Sequence, residues 1–386
     1  METGYDILFF WVARMIIMST YHVGEVPFKQ VYLHGLVRDE QGRKMSKSLG
    51  NVIDPLDTIA KFGADATRLS LVIGTTPGND TNLSEAKIAG YRNFVNKLWN
   101  IARYVLVTVA QPRLVERRPK PQSLADRWIL AELDALVTET TRHLDQYNFS
   151  LAGEGVYAFT WSKFADWYLE IAKIESGKDE ILLYVLQILL KLWHPFTPFV
   201  TEHLWAMSTG GTDTLLLAQD WPKPLRKLDA RAVEQFAVVR DVIAAVRSLR
   251  QENGIAPGEK LPAVFLSSQV KLSLLEKEQV IITALARLEK LTFTAVQTSK
   301  PSLSAVVAGV EIYLPVSGTI DTAQAVARLA KELQQTQAYI ASQSKKLENT
   351  SFVDNAPHDI VAAEKNKLRL AEEKAEKISR QIAGLR

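Results

Sequence analysis

Two lysines three residues apart, Lys44 and Lys47, stand in the run "GRKMSKSLG" with Ser46 and Ser48 beside them and Gly42 and Gly50 at its ends. The run has no apolar periodicity to bury, so its charge faces water or an anion. Ammonium groups offset the charge of a triphosphate, while serine hydroxyls and loop amides donate hydrogen bonds to its oxygens. A loop suits this chemistry because charge that develops during reaction is best met by groups that close late. The alternative is a solvated basic loop, and charge pattern alone does not separate the two.

The neighbouring sequence says what holds the loop. Ile7, Trp11, Met15 and Met18 recur at steps of three and four, which predicts one face of a helix over residues 4–20. "FKQVYLHGLVRDE" alternates and is rich in valine, leucine and tyrosine, predicting a strand that ends near Arg38, and "DEQG" reads as a turn. Downstream, Asp54 as N-cap, Pro55 at the first helical position and Gly63 past the end frame a helix. The lysines therefore lie between a strand end and a capped helix, where functional loops concentrate.

Composition narrows the class. The 386 residues are 47% hydrophobic and 23% charged, as a chain with buried cores requires, and suffice for two to four domains of roughly 100–200 residues. A formal charge of +3 leaves polyanion binding to local patches. The chain has no cysteine, which excludes disulfides and thiolate zinc sites and leaves the compartment unconstrained by redox. The apolar opening is interrupted by Asp6 and Arg14. An ionised group there costs about 2.5–3.5 kcal/mol in a bilayer, so a core helix is expected and a signal peptide or membrane span is not.

Residues 64–109 read as further helix broken by "GTTPGNDTN", and "AQPRLVERRPKPQS" as a basic, proline-rich linker near residue 120. From "LADRWIL" to "HLWAM" the pattern is long amphipathic helices, a bundle closed by "WPKPL", in which the tryptophans read as packing. Between 228 and 320, two helices and strands at "PAVFLS", "LTFTAVQ" and "VEIYLPVSG" suggest a small α/β module. Leu329, Leu333, Thr336, Ile340, Gln343 and Leu347 fall in alternating steps of four and three, as do Leu368, Ala371, Ala375, Ile378, Ile382 and Leu385. This predicts an antiparallel helical hairpin.

The order of residues in the lysine loop carries more than its charge. "KMSKS" followed by "LGN", in a strand–loop–helix setting, resembles the second signature of class I aminoacyl-tRNA synthetases. "HGLVRDEQGRKMSKSLGNVIDP" is similar to the surrounding stretch in the valine, isoleucine and leucine branch, and "ETGYDILFFWVARM" resembles the preceding segment of valyl-tRNA synthetases. The resemblance implies an ATP site comprising Lys44, Met45, Ser46, Lys47, Ser48, His34, Gly35, Gly4 and Asp6. His34 and Gly35 would lie near the adenine, and Gly4 and Asp6 would face the adenylate ribose. Lys47, with Lys44, would be catalytic, stabilising the β- and γ-phosphates as pyrophosphate departs. Ile7 and Trp11 would line the valine pocket; without the resemblance they read as plain core.

The resemblance continues through "GNDTNLSEAKIAGYRNFVNKLWN", "DRWIL", "WHPFTPFVTEHLW" and the hairpin, where Lys345, Lys346, Lys365, Lys367 and Arg369 would meet tRNA phosphates. A solvated charged face is the competing reading for each of these. The implied fold is mainly α and multidomain: the end of a Rossmann-like class I catalytic domain over 1–62, stem-contact helices and linker over 63–120, an anticodon-binding helical bundle over 121–225, a small α/β module over 226–320 and a coiled-coil tRNA-binding hairpin over 321–386. Partners would be tRNA(Val), valine and ATP with Mg2+, without a structural metal, in a cytoplasmic monomer. The first class I signature, of His-x-Gly-His type, and the editing domain have no counterpart here, so the expected identity is a C-terminal portion, incomplete for catalysis by itself. A non-catalytic tRNA-binding module and one half of a split synthetase are the rival readings.

Overall fold

The computed structural model describes residues 1–211, 214–223, 228–294, 302–315, 322–348 and 358–385. They form two compact units, Met1–Val233 and Glu234–Arg386.

The first unit opens with two short parallel strand pairs. β1 (Glu2–Gly4) pairs with β2 (Tyr32–His34), and β3 (Val37–Arg38) pairs with β4 (Thr81–Asn82). The single strand expected through this stretch is divided at Gly35. A Cβ there would lie 1.7 Å from the carbonyl oxygen of Asn79, so the chain passes the Asn79–Asp80 backbone too closely for any side chain. At that crossing the pairing partner changes from β1 to β4.

Residues Tyr5–Val23 are helical, but not as a uniform α-helix in a core. A 3-10 turn (Tyr5–Ile7) leads into a π-helical segment (Leu8–Ala13) and then α1 (Arg14–Val23). The wider π turn breaks the 3.6-residue register that would have placed Ile7, Trp11, Met15 and Met18 on one buried face. Val12 is the buried residue of the stretch, while Phe9, Phe10, Ile17 and Tyr21 are 65–83% exposed. This corrects the expectation of a core helix: the described chain leaves the segment uncovered. By length and composition alone it could also cross a membrane, although Asp6 and Arg14 interrupt it.

Past the lysine loop, α2 (Pro55–Phe62) is framed as the sequence predicts. The Asp54 side chain accepts from the Leu56 N–H at 2.7 Å, and Gly63 at φ +92° ends the helix. Next come α3 (Ala64–Val72) and α4 (Glu85–Thr108), then a bundle of α5 (Leu124–Asp145), α6 (Phe149–Phe159), a π-helical stretch (Thr160–Tyr168) running into α7 (Leu169–Ala172), α8 (Asp179–Trp193) and α9 (Pro198–Ser208). Trp128, Trp193 and Trp205 are fully buried, whereas Trp99 is 38% exposed and stacks on His203. The "WHPFTPF" turn is clamped from α3. Arg68 donates to the carbonyls of Pro195 and Phe196 at 3.0 and 3.2 Å, and Asp65 accepts the N–H groups of Phe199 and Val200 at the start of α9.

One ionic network lies wholly inside this unit. Asp126, in a capping box with Ser123 at the start of α5, is 0% exposed. It accepts from Lys178 Nζ and the Tyr168 hydroxyl at 2.8 Å, and from the N–H groups of Gln122 and Ser123 at 2.9 and 3.0 Å. Burial opposes its charge, but Lys178, the Gln122 N–H and Tyr168 hold the carboxyl below its ordinary range. Burial and the adjacent Asp126 push the Tyr168 hydroxyl up.

α10 (Ala230–Glu252) spans the division between the units. The second unit contains a four-stranded sheet in the order β6-β5-β8-β7. β5 (Leu261–Leu266) runs parallel to β6 (Leu288–Thr294) and antiparallel to β8 (Val310–Pro315), which pairs antiparallel with β7 (Ser302–Val307). α11 (Gln269–Lys277) and α12 (Gln279–Leu285) connect β5 to β6. β7, "SLSAVV", was not expected. Its serines weaken the alternation, and a two-residue turn with Ala308 and Gly309 both at positive φ returns it onto β8. α13 (Thr322–Glu348) and α14 (His358–Leu385) pack on each other. Leu329, Thr336, Ala371 and Ile378 are buried, and Glu364 joins them at 7% exposure. The side chain of Leu385 and the connection at 349–357 lie outside the described residues.

Candidate functional site

The lysine loop starts where β3 ends, in a turn built on Asp39. The Asp39 carboxylate accepts the backbone N–H groups of Gln41 and Arg43 at 3.1 and 2.8 Å and the Arg43 side chain at 2.8 Å. The Gly42 N–H donates back to the Asp39 carbonyl at 3.0 Å, and Gly42 sits at φ +75°, where a Cβ would be strained. Beyond the turn, Lys44 forms an antiparallel bridge with Arg38.

The second half of the loop is pinned by Asn51. Its Oδ1 accepts the Ser46 N–H at 2.9 Å, and its Nδ2 donates to Asp39 at 2.9 Å and to the Lys44 carbonyl at 3.3 Å. The bond from Asn51, ahead of those from Arg43, holds the Asp39 carboxyl at about 2 against the opposing effect of burial. Between these anchors Lys47–Leu49 forms a 3-10 turn. Ser46 caps it by accepting the Leu49 N–H at 3.3 Å, and its hydroxyl lies 3.1 Å from that of Ser48. Met45 packs against the buried cluster of Ala66, Leu83 and Ile88. It thus tethers the loop by apolar contact. Lys44 and Lys47 are exposed and pair with no acidic side chain among the described residues.

A second group of predicted residues meets at the β1–β2 pair. Gly4 lies opposite His34 in register, and a Cβ on Gly4 would stand 2.7 Å from Asp6 Oδ1 and 3.6 Å from His34 Cε1. His34 Nδ1 lies 2.9 Å from the Gly35 carbonyl oxygen, and Nε2 lies 3.4 Å from the Glu2 carboxylate. Ile7 and Trp11 are 41% and 43% exposed, so they stand at the surface and not in a core of the described chain. Asp80, which sequence reasoning missed, ties these pieces together. It accepts from the Leu36 N–H at 2.8 Å, from the Tyr5 hydroxyl at 3.4 Å and from the Arg38 guanidinium. Asp39 and Asn51 were missed too; the signal available was an aspartate opening a Gly turn and an asparagine following Gly50.

On the helix pair, the basic residues divide. Lys346 and Lys367 lie 3.2 and 2.8 Å from the Glu364 carboxylate, and Arg369 pairs with Glu373. Lys345 and Lys365 are exposed. Lys331, Gln335, Thr336 and Tyr339 of α13 line a groove of about 800 Å³ together with Lys367, Leu370, Ala371 and Lys374 of α14. Lys331, Lys374 and Tyr339 had not been singled out from sequence.

Comparison with known proteins agrees along the chain. The model for class I tRNA synthetases (I, L, M and V) matches residues 1–84, that for the anticodon-binding domain of tRNA ligase matches 126–265, and that for the valyl-tRNA synthetase tRNA binding arm matches 321–386. The valine–tRNA ligase of Geobacter sulfurreducens is 42% identical over 382 residues, covering 95% of this chain and 43% of that protein. That of Clostridium acetobutylicum is 38% identical over 397 residues, 100% of this chain and 45% of that protein. That of Carboxydothermus hydrogenoformans is 41% identical over 376 residues, 95% and 43% respectively. The chain thus spans less than half the length of these curated relatives. With synthetase, anticodon-binding and valyl-specific arm regions in order and about 40% identity throughout, the chain belongs to the valine–tRNA ligase family.

Proposed function

We propose that this chain is part of an enzyme that joins valine to tRNA(Val). Valine's carboxylate attacks the α-phosphate of ATP, pyrophosphate leaves, and the valyl group then passes from the adenylate to a terminal ribose hydroxyl of the tRNA. The observation that carries the reading is the lysine loop. Two exposed ammonium groups stand on a turn anchored by Asp39, Asn51 and Met45, which suits them to the β- and γ-phosphates of a departing pyrophosphate. Gly4, Asp6 and His34 would hold the adenosine, with Gly35 needed for the crossing behind them. Ile7 and Trp11 would face the valine side chain. We assign Mg2+ to the phosphates of the nucleotide.

The exposed apolar residues of Tyr5–Val23 fit packing against the remainder of a class I catalytic fold. The same five-part layout follows: catalytic end over 1–62, stem contact over 63–120, anticodon bundle over 121–225, α/β module over 226–320 and a coiled-coil arm over 321–386, in a cytoplasmic monomer. The test is valine-dependent ATP–pyrophosphate exchange and charging of tRNA(Val) by the full-length protein. Exchange dependent on isoleucine instead, or none with any amino acid, overturns the assignment.

The arm is proposed to hold tRNA by charge. Lys345 and Lys365 would meet phosphates directly, while Lys346, Lys367 and Arg369 would exchange carboxylate partners for phosphate. Deleting 321–386 should weaken tRNA binding and flatten its salt dependence, because each lost phosphate contact removes about 0.7–0.9 from the log–log slope. Affinity measured at several salt concentrations checks this; an unchanged slope and affinity would leave the lysines as a solvated face.

A further inference from the structure

We infer that Asn51 and Asp39 are positioning residues for adenylation: together they form a latch that fixes the backbone from which Lys44 and Lys47 project. The inference rests on the reading of this loop as the site that stabilises the departing pyrophosphate. It assigns the residues that set where those lysines stand.

The donor and acceptor inventory leaves one arrangement. Asp39, 6% exposed, is an acceptor on both oxygens and already takes the turn's N–H groups from Gln41 and Arg43. It therefore needs a donor from Asn51, which orients the Asn51 amide nitrogen toward it. The amide oxygen is then turned to the Ser46 N–H, and the same nitrogen also reaches the Lys44 carbonyl. One side chain thus grips the backbone on both sides of Met45, directly beside each lysine. The Arg38–Lys44 bridge fixes the entry and the Ser46 cap fixes the 3-10 turn that begins with Lys47. The Ser46 N–H is held by Asn51, while both lysine side chains, like those of Ser48 and Leu49, face solvent.

The consequence is a role in rate and not in ground-state binding. A displacement of about 1 Å in a group that stabilises the transition state costs about 10²-fold. Asn51→Ala removes both grips while keeping Lys44 and Lys47. In the full-length enzyme it should lower the maximal rate of valine-dependent ATP–pyrophosphate exchange by about that factor and leave the KM for valine near wild type. Hydrogen exchange in the loop should quicken, while α2 and the strand before the turn stay protected.

A reciprocal exchange tests the direction of the bond. Asn51→Asp keeps an acceptor for Ser46 but sets carboxylate against carboxylate. Asp39→Asn keeps an acceptor for the turn but sets amide donor against amide donor. Each single variant should be slow. The double variant Asp39→Asn/Asn51→Asp restores one donor facing one acceptor with the roles reversed, and should recover part of the rate, though without the Arg43 side-chain bond.

Three outcomes overturn the latch: Asn51→Ala at the wild-type rate; a double variant slower than both singles; or exchange that accelerates across α2 as strongly as in the loop, which would make the role one of folding. If the wild-type full-length enzyme does not activate valine, the functional reading fails instead. The loop's exchange in wild type and Asn51→Ala then still decides whether the latch exists.

Discussion

Replacing Lys47 by alanine in the full-length enzyme should slow valine-dependent adenylation by about 10²–10³-fold, or about 3–4 kcal/mol, as for other preorganised groups aimed at developing charge. Lys47 opens the 3-10 turn of the loop, is exposed and pairs with no acidic side chain among the described residues. Its ammonium is therefore available to an arriving phosphate. On the proposed reading its contact would strengthen as charge accumulates on the leaving pyrophosphate, so the loss should fall on the rate and spare the KM for valine. The check is pyrophosphate exchange measured across valine concentrations. A Lys47→Ala enzyme with an unaltered rate would remove this residue from the mechanism.

Asp126→Ala should destabilise the Met1–Val233 unit by about 3–5 kcal/mol. The substitution leaves a lysine with 5% side-chain exposure without its buried partner. It also strips an acceptor from the Tyr168 hydroxyl and from the N–H groups of Gln122 and Ser123 at the start of α5, each a buried or half-buried donor. Glu175, 2.6 Å from Lys178, offsets part of the loss. All eight tryptophans of the chain lie before residue 234, so tryptophan fluorescence during urea unfolding reports this unit by itself. A shift under about 1 kcal/mol would show that the network is replaceable by solvent.

Much of the local structure was legible because its causes are local. Asp54, Pro55 and Gly63 bound α2 because capping and proline geometry act within a few residues. The bundle's fully buried tryptophans follow from amphipathic period, whereas Trp99 departs from the rule, 38% exposed with its ring stacked on His203. The heptad positions Leu329, Thr336, Ala371 and Ile378 are buried for the same periodic reason.

What failed depends on what a segment packs against or pairs with, which its own pattern does not record. The Tyr5–Val23 stretch has the composition of a core helix, but burial depends on what lies against it, and the described chain places little there. β7 has little signal of its own and exists through its pairing with β8. The expected strand through Gly35 is cut because Asn79 and Asp80 return to it from 44 residues away, a separation no local pattern records. The ion pairs of Lys346, Lys367 and Arg369 distinguish them from Lys345 and Lys365, which composition treats alike.

By itself the sequence determined the order of helices and loops, the placing of two lysines on a turn before a capped helix, and membership of a family through residue order. Tertiary structure alone decided which groups meet: Asp39 with Asn51, Asp80 with Tyr5 and Arg38, Asp126 with Lys178 and Tyr168. The reason is that capping, turn formation and amphipathic period are set by neighbours along the chain, whereas a buried carboxylate takes whichever donor the fold brings within about 3 Å.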